Sequence, residues 1–171
     1  LVEELNYLTL SVKDTSEDDK NETIFLDKLL IDCMSEFKLR AEKEKRDIYI
    51  KVIPENAKIV SNYNKMQRII VNLIGNAFKY SPSGTKIEIV TEIKNQELSI
   101  SIIDEGCGIK EEDIDNIFKR LYRVEASRNL KTGGYGLGLA IAKQLALQIN
   151  GDILVESEYG KGSKFTLKIN C

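Results

Sequence analysis

The sequence has no histidine and no tryptophan, only two prolines, and three cysteines, at positions 33, 107 and 171. Without an imidazole the chain cannot accept a phosphoryl group on histidine, run a serine–histidine or cysteine–histidine couple, or complete a zinc cluster that needs a histidine ligand. The cysteines are too few, too scattered and odd in number for a disulfide framework, so a reducing cytoplasm is the expected compartment. No apolar run approaches the roughly 18 residues of a membrane span, and no charged-then-apolar start marks a signal peptide. There is no basic excess either: 25 Lys and Arg against 27 Asp and Glu leave a net charge of −2. A pI near 5.4 argues against non-specific nucleic-acid binding. The chain opens at Leu1 rather than at a methionine, and so reads as a fragment or a processed piece.

What is present suits one core. At 171 residues, with 42% hydrophobic, the chain can fold as a single domain plus an appendage. Leu1, Leu5, Leu8 and Val12 recur at helical spacing, which predicts a helix over 1–12 whose partner face is missing. A polar, acidic run at 13–23 reads as a linker, and 24–171 as the globular domain. Within it the pattern predicts a helix at 26–45, strands at 48–53 and 58–61, and a helix at 64–80. Alternation over 86–93 and 98–104 predicts a hairpin around Asn95 and Gln96. A short helix at 111–118, a polar loop at 119–133, a helix at 136–149 and strands at 152–157 and 163–169 follow. These elements define an α+β fold, a two-layer sandwich with a mixed, mostly antiparallel sheet backed by helices on one face.

Three segments carry chemistry. In NLIGNAFKY (72–80), Asn72, Asn76 and Lys79 lie at i, i+4 and i+7, one stripe along the edge of the apolar face. Two carboxamides offer oxygens of the kind Mg²⁺ takes, and an ammonium offers phosphate a charge, although the same trio also suits an ordinary polar edge. In DEGCGI (104–109), Asp104 shares the parity of Leu98, Ile100 and Ile102, so its carboxylate should face inward at the strand end and need a partner. Gly106 and Gly108 follow, allowing either a close backbone approach or a plain turn. GYGLGL (134–139) sets Gly134, Gly136 and Gly138 before a helix, where N–H groups and the positive helix end can bind phosphate. Its spacing is not that of a dinucleotide fingerprint. Gly160-Lys161-Gly162-Ser163 lacks the first glycine of a P-loop and reads as a hairpin turn.

Together these segments resemble the nucleotide site of sensor histidine kinases and of the wider family holding gyrase-type, Hsp90-type and MutL-type ATPases. The resemblance runs from about Ile24 to Ile169. It implies a Bergerat-type fold that binds ATP with Mg²⁺. It assigns Asn76, with Asn72, to the metal and Lys79 to phosphate. Tyr80 would pack beside adenine or ribose, Asp104 accept a hydrogen bond from the adenine amino group, and Gly106 and Gly108 lie close to the base. Gly134, Gly136, Leu137 and Gly138 would form the last glycine box, and IFKRLYRVEASRN (117–129) the F box and the start of a lid. In that lid Phe118 would pack the base, with Arg123 and Arg128 candidates for phosphate or partner contacts. Leu121, Tyr135, Asn64 and Cys107 depart from the usual pattern, in which a second Phe, a small Thr or Ser, an Asp and a variable residue stand.

The resemblance further implies a histidine-bearing dimerisation domain in the full-length protein, a homodimer, a response regulator and anchorage in the cell membrane. The segment 1–12 would be the tail of the dimerisation hairpin. Hydrolysing relatives place a Glu four residues before the metal Asn, but here that position is Asn72. Lacking a general base, the chain should be a poor ATPase, while transfer by positioning remains open. A non-catalytic nucleotide-binding or docking module is the alternative.

Overall fold

The computed structural model describes residues 20–124 and 136–170. The helix expected at 1–12 and most of the linker expected at 13–23 lie outside the described residues. Strand β1 (Glu22–Phe25) straddles the boundary expected at 24 and pairs antiparallel with β3 (Lys58–Ser61), Glu22 opposite Ser61. Only Ile24 of this strand is buried, so four residues beside an acidic run gave no alternation to read.

The single helix expected over 26–45 is instead two, α1 (Leu26–Ser35) and α2 (Lys38–Glu44). The break falls at Phe37, whose ring stacks on Phe78 with centroids 5.0 Å apart. That packing wins over a continuous helical run. Lys45, in the left-handed conformation at φ 51°, then ends α2 and directs the chain into β2 (Asp47–Ile53).

Helix α3 (Tyr63–Tyr80) is the scaffold of the domain. Asn62 caps its start, accepting the Lys65 N–H at 2.9 Å, so the cap lies two residues before Asn64. Met66, Ile69, Ile70, Leu73, Ile74, Ala77 and Phe78 are all buried, the face that the 3.6-residue period predicts. Strands β4 (Lys86–Lys94) and β5 (Glu97–Asp104) form the expected hairpin, with Asn95 and Gln96 both left-handed, as a two-residue type I′ turn requires. Helix α4 (Glu111–Ile114) is shorter than the expected 111–118. The rest of that stretch turns inward to bury Ile117 and half-bury Phe118. Helix α5 (Gly138–Gln148), β6 (Gly151–Glu158) and β7 (Gly162–Asn170) complete the described chain.

The five-stranded sheet runs β2-β4-β5-β7-β6, with β2 parallel to β4 and every other pair antiparallel. Its inner face sends Ile87, Ile89, Leu98, Ile100, Ile102, Phe165 and Leu167 into one core with α1, α3 and α5. The two-layer α+β sandwich is therefore as the pattern predicts. Asp104 lies on the core-facing side at the end of β5, where parity placed it.

Candidate nucleotide site

Helix α3 brings the three motifs together. Near its middle, Asn72 faces the start of α5: a Cβ added to Gly138 would come within 2.8 Å of the Asn72 Oδ1. The Asn72 Nδ2 donates to the Arg68 carbonyl at 2.9 Å, which fixes the carboxamide with its oxygen toward the glycine segment. One turn on, the Asn76 Nδ2 is buried with no hydrogen-bond partner among the described residues. A carboxamide can offer either its N–H or, on turning over, its oxygen, so Asn76 is an amide that a ligand would satisfy. Lys79 is half-buried, its ammonium 5.1 Å from the Tyr80 ring centre, and it pairs with no carboxylate among the described residues.

At the far end of α3 lies the Asp104 loop. The Cys107 N–H donates to the Tyr80 carbonyl at 3.2 Å. A Cβ on Gly106 would stand 2.7 Å from that same carbonyl oxygen and 2.6 Å from the Asp104 Oδ1. Gly108, at φ 64°, presses on the β6–β7 turn, where a Cβ would meet the Glu158 carbonyl oxygen at 2.1 Å. Both glycines are thus required by the protein's own backbone packing, whatever the loop also does for a ligand. From Asn72 to Tyr80 the stripe is about 12 Å long at 1.5 Å per residue. It joins the start of α5 to the Asp104 carboxylate.

Asp104 is buried, and burial pushes its pKa above the usual carboxylate value. The backbone N–H groups of Gly106 and Ser163, the Ser81 hydroxyl and the Arg46 charge all pull the other way. Its Oδ1 accepts from Gly106 N at 2.8 Å and from Ser81 Oγ at 3.4 Å. Ser81 carried no signal in the sequence beyond ending a helix. Gly162, read only as part of a hairpin turn, backs the same residue: at φ 127°, a Cβ there would lie 2.0 Å from the Asp104 carbonyl oxygen.

The remaining assignments divide. Leu137 is buried in the core, so only its backbone could face a ligand. It opens α5 without a side-chain cap, leaving the first N–H groups of an 11-residue helix to other acceptors. The Gly136 carbonyl accepts from Leu121 N at 3.0 Å, and the stem of Arg123 lies beneath Gly136, its Cγ 3.2 Å from where a Cβ would be. Phe118 packs under the Lys143 ammonium at 4.9 Å, while Leu121 is 69% exposed. Gly134, Arg128 and Tyr135 lie outside the described residues. Among the described residues no cluster of three His, Cys, Asp or Glu could hold a metal. The carboxamide oxygens of Asn72 and Asn76 suit instead an ion that takes most of its ligands from phosphate and water, whereas the unpaired Asn76 Nδ2 is a donor that suits a phosphate oxygen unless the amide turns over.

A helix edge of carboxamides, a buried carboxylate at a strand end and an uncapped helix start thus come together on α3 of a two-layer α+β domain. Residues 61–171 match the family model described as histidine kinase-, DNA gyrase B-, and HSP90-like ATPase, and the chain belongs to that family. It is 41% identical over 150 residues to the histidine protein kinase SaeS of Staphylococcus epidermidis, covering 86% of this chain and 43% of that one. To SaeS of Staphylococcus aureus it is 40% identical over 151 residues, 87% of this chain and 43% of that one. The chain therefore spans less than half the length of these relatives. Among solved structures, the histidine kinase AdeS of Acinetobacter baumannii superposes with a TM-score of 0.79 at 26% identity, over 99% of this chain and 76% of that one. The catalytic domain of the histidine kinase ThkA, at 23% identity, shares the fold with a TM-score of 0.78 over 88% of this chain and 95% of that one. No described helix is long and apolar enough to cross a membrane.

Proposed function

We propose that the chain is the ATP-binding catalytic domain of a sensor histidine kinase, which transfers the ATP γ-phosphoryl to a histidine on a separate dimerisation domain. The observation that carries this reading is the convergence on α3, where Asn72 meets the start of α5 and Tyr80 meets the Asp104 loop. Asp104 accepts a hydrogen bond from the adenine amino group, with Gly106 and Gly108 shaping the loop beside the base. Tyr80 packs against adenine or ribose. Lys79, free of carboxylates among the described residues, contacts phosphate together with the backbone N–H groups at Gly136, Leu137 and Gly138. Gly134 and Arg123 complete the phosphate side. Asn76, with Asn72, would hold Mg²⁺, which when bound neutralises phosphate charge.

Position 72 sets the choice of acceptor. An Asn tied to the Arg68 carbonyl cannot take a proton from water, so the site aligns the γ-phosphoryl without activating a hydrolytic nucleophile. An imidazole brought in from outside is nucleophilic without such help. The P–O bond to ADP breaks as the P–N bond forms, and the other imidazole nitrogen gives up its proton to solvent. In the full-length protein the acceptor would sit in a homodimeric helical hairpin, pass its phosphoryl to a response-regulator aspartate, and answer to a sensor at the membrane. The SaeS relatives, named as histidine protein kinases, support this assignment.

The test is to supply a histidine-bearing hairpin in trans with γ-labelled ATP. The expected result is acid-labile label on the hairpin and negligible phosphate release by the chain alone. An unlabelled hairpin beside a chain that binds ATP would favour a docking module, and rapid phosphate release would favour a true ATPase.

A further inference from the structure

We propose that Arg46 is a positioning residue for Asp104: its buried fork holds the α3–β4 turn, and that turn holds the carboxylate. The inference deepens the nucleotide-site reading and rests on it. Arg46 is the one Lys or Arg buried among the described residues, its side chain 2% exposed. Its Nη2 donates twice, to the Phe78 carbonyl at 3.1 Å and the Ser81 carbonyl at 2.7 Å. Nη1 donates to Thr85 Oγ1 at 3.2 Å, and Nε to Glu44 Oε2 at 2.5 Å. The guanidinium also lies 5.1 Å from the Phe78 ring centre, with Arg40 5.4 Å from the same centre.

A helix end leaves carbonyls unpaired, and a cation there is favourable. In α3 those carbonyls are consumed in two directions. Arg46 takes Phe78, a carbonyl it shares with Arg40 Nη2 at 3.0 Å, and, from the same side, Ser81, while the Cys107 N–H takes Tyr80 from the other. Ser81, gripped through its carbonyl, donates its hydroxyl to the Asp104 Oδ1. The Glu44 carbonyl takes the Gly84 N–H at 2.9 Å, so the turn is pinned at Ser81, Gly84 and Thr85 by neighbouring residues of one short segment. Planar bidentate reach of this kind belongs to arginine; a lysine keeps the charge but loses the fork.

The test is a double-mutant cycle on nucleotide affinity, using Arg46→Lys, Asp104→Asn and the pair, with a non-hydrolysable ATP analogue as the probe. Arg46→Lys should weaken binding about five- to tenfold alone but less than about twofold once Asp104 is Asn, because the effect runs through that carboxylate. Equal losses in both backgrounds, or no loss with native Asp104, would overturn the inference. If circular dichroism finds Arg46→Lys unfolded, Ser81→Ala replaces it in the same cycle, since it removes the hydroxyl through which the turn held by Arg46 reaches the Asp104 carboxylate. A loss confined to native Asp104 then supports the positioning role, and equal losses or none overturn it. Absence of binding by the native chain, or an unweakened Asp104→Asn, would instead bring down the nucleotide-site reading on which the inference stands.

Discussion

On the proposed reading, Asp104 is a single residue placed for a ligand at the expense of the empty fold. Its pKa is raised by burial, so the folded chain without nucleotide holds that proton more tightly than the unfolded chain. The associated stability is fully present below the ordinary carboxylate pKa and is lost as pH rises through the raised one. Asp104→Asn removes the ionisation but keeps an oxygen for the Gly106 N–H. At pH 7 the nucleotide-free variant should therefore melt no lower than the native chain, while its nucleotide affinity falls roughly ten- to a hundredfold, or about 1.5–3 kcal/mol. Thermal melts between pH 4 and pH 7 beside a binding titration check both halves; a variant that melts several degrees lower yet binds as before would contradict the assignment. Cys107 offers a second probe. The residue is exposed, yet partial burial of the thiol and the nearby Asp104 charge raise its pKa, and it lies between the two glycines of the Asp104 loop. Bound nucleotide should slow its alkylation, and equal rates with and without nucleotide would place the base elsewhere. The positions of the candidate site residues were legible because polar groups at fixed helical and strand spacing declare their face. Ser81 and Arg46 were not, since a helix-ending serine and a lone arginine in a charged stretch carry no period.

Elements with a strong hydrophobic period could be read from the sequence, and those shaped by a single tertiary contact could not. Helix α3 and the β4–β5 hairpin lie where the pattern places them. The break between α1 and α2 depends on Phe37 finding Phe78, and β1 depends on pairing with a strand more than 30 residues later, neither of which a local window contains. Two positions in the hairpin still conflict with their surroundings. Gln96 holds φ 63°, which a non-glycine residue adopts at a cost of about 1 kcal/mol, so Gln96→Gly should stabilise the chain by about that amount. Thr91 is fully buried on the core face of β4 with its hydroxyl unpaired among the described residues, so Thr91→Val, of like shape, should add about 1 kcal/mol. Urea unfolding of each variant checks these gains. A loss at position 91 would mean that the hydroxyl has a partner, such as a water.

At the scale of the molecule, α3 joins the two ends of the proposed ligand site through one rigid element. Asn72 meets Gly138 at one end and Tyr80 meets Gly106 and Cys107 at the other, so base and phosphates would be read by parts of one helix. On the proposed reading, the absence of histidine and the Asn at position 72 would divide the labour, with the nucleotide held here and the nucleophilic acceptor held elsewhere. The most direct measurement of that division is a calorimetric titration of the chain with a non-hydrolysable ATP analogue, with and without Mg²⁺. Saturable binding strengthened by Mg²⁺ is the predicted result; no binding under either condition would contradict a nucleotide site built along α3.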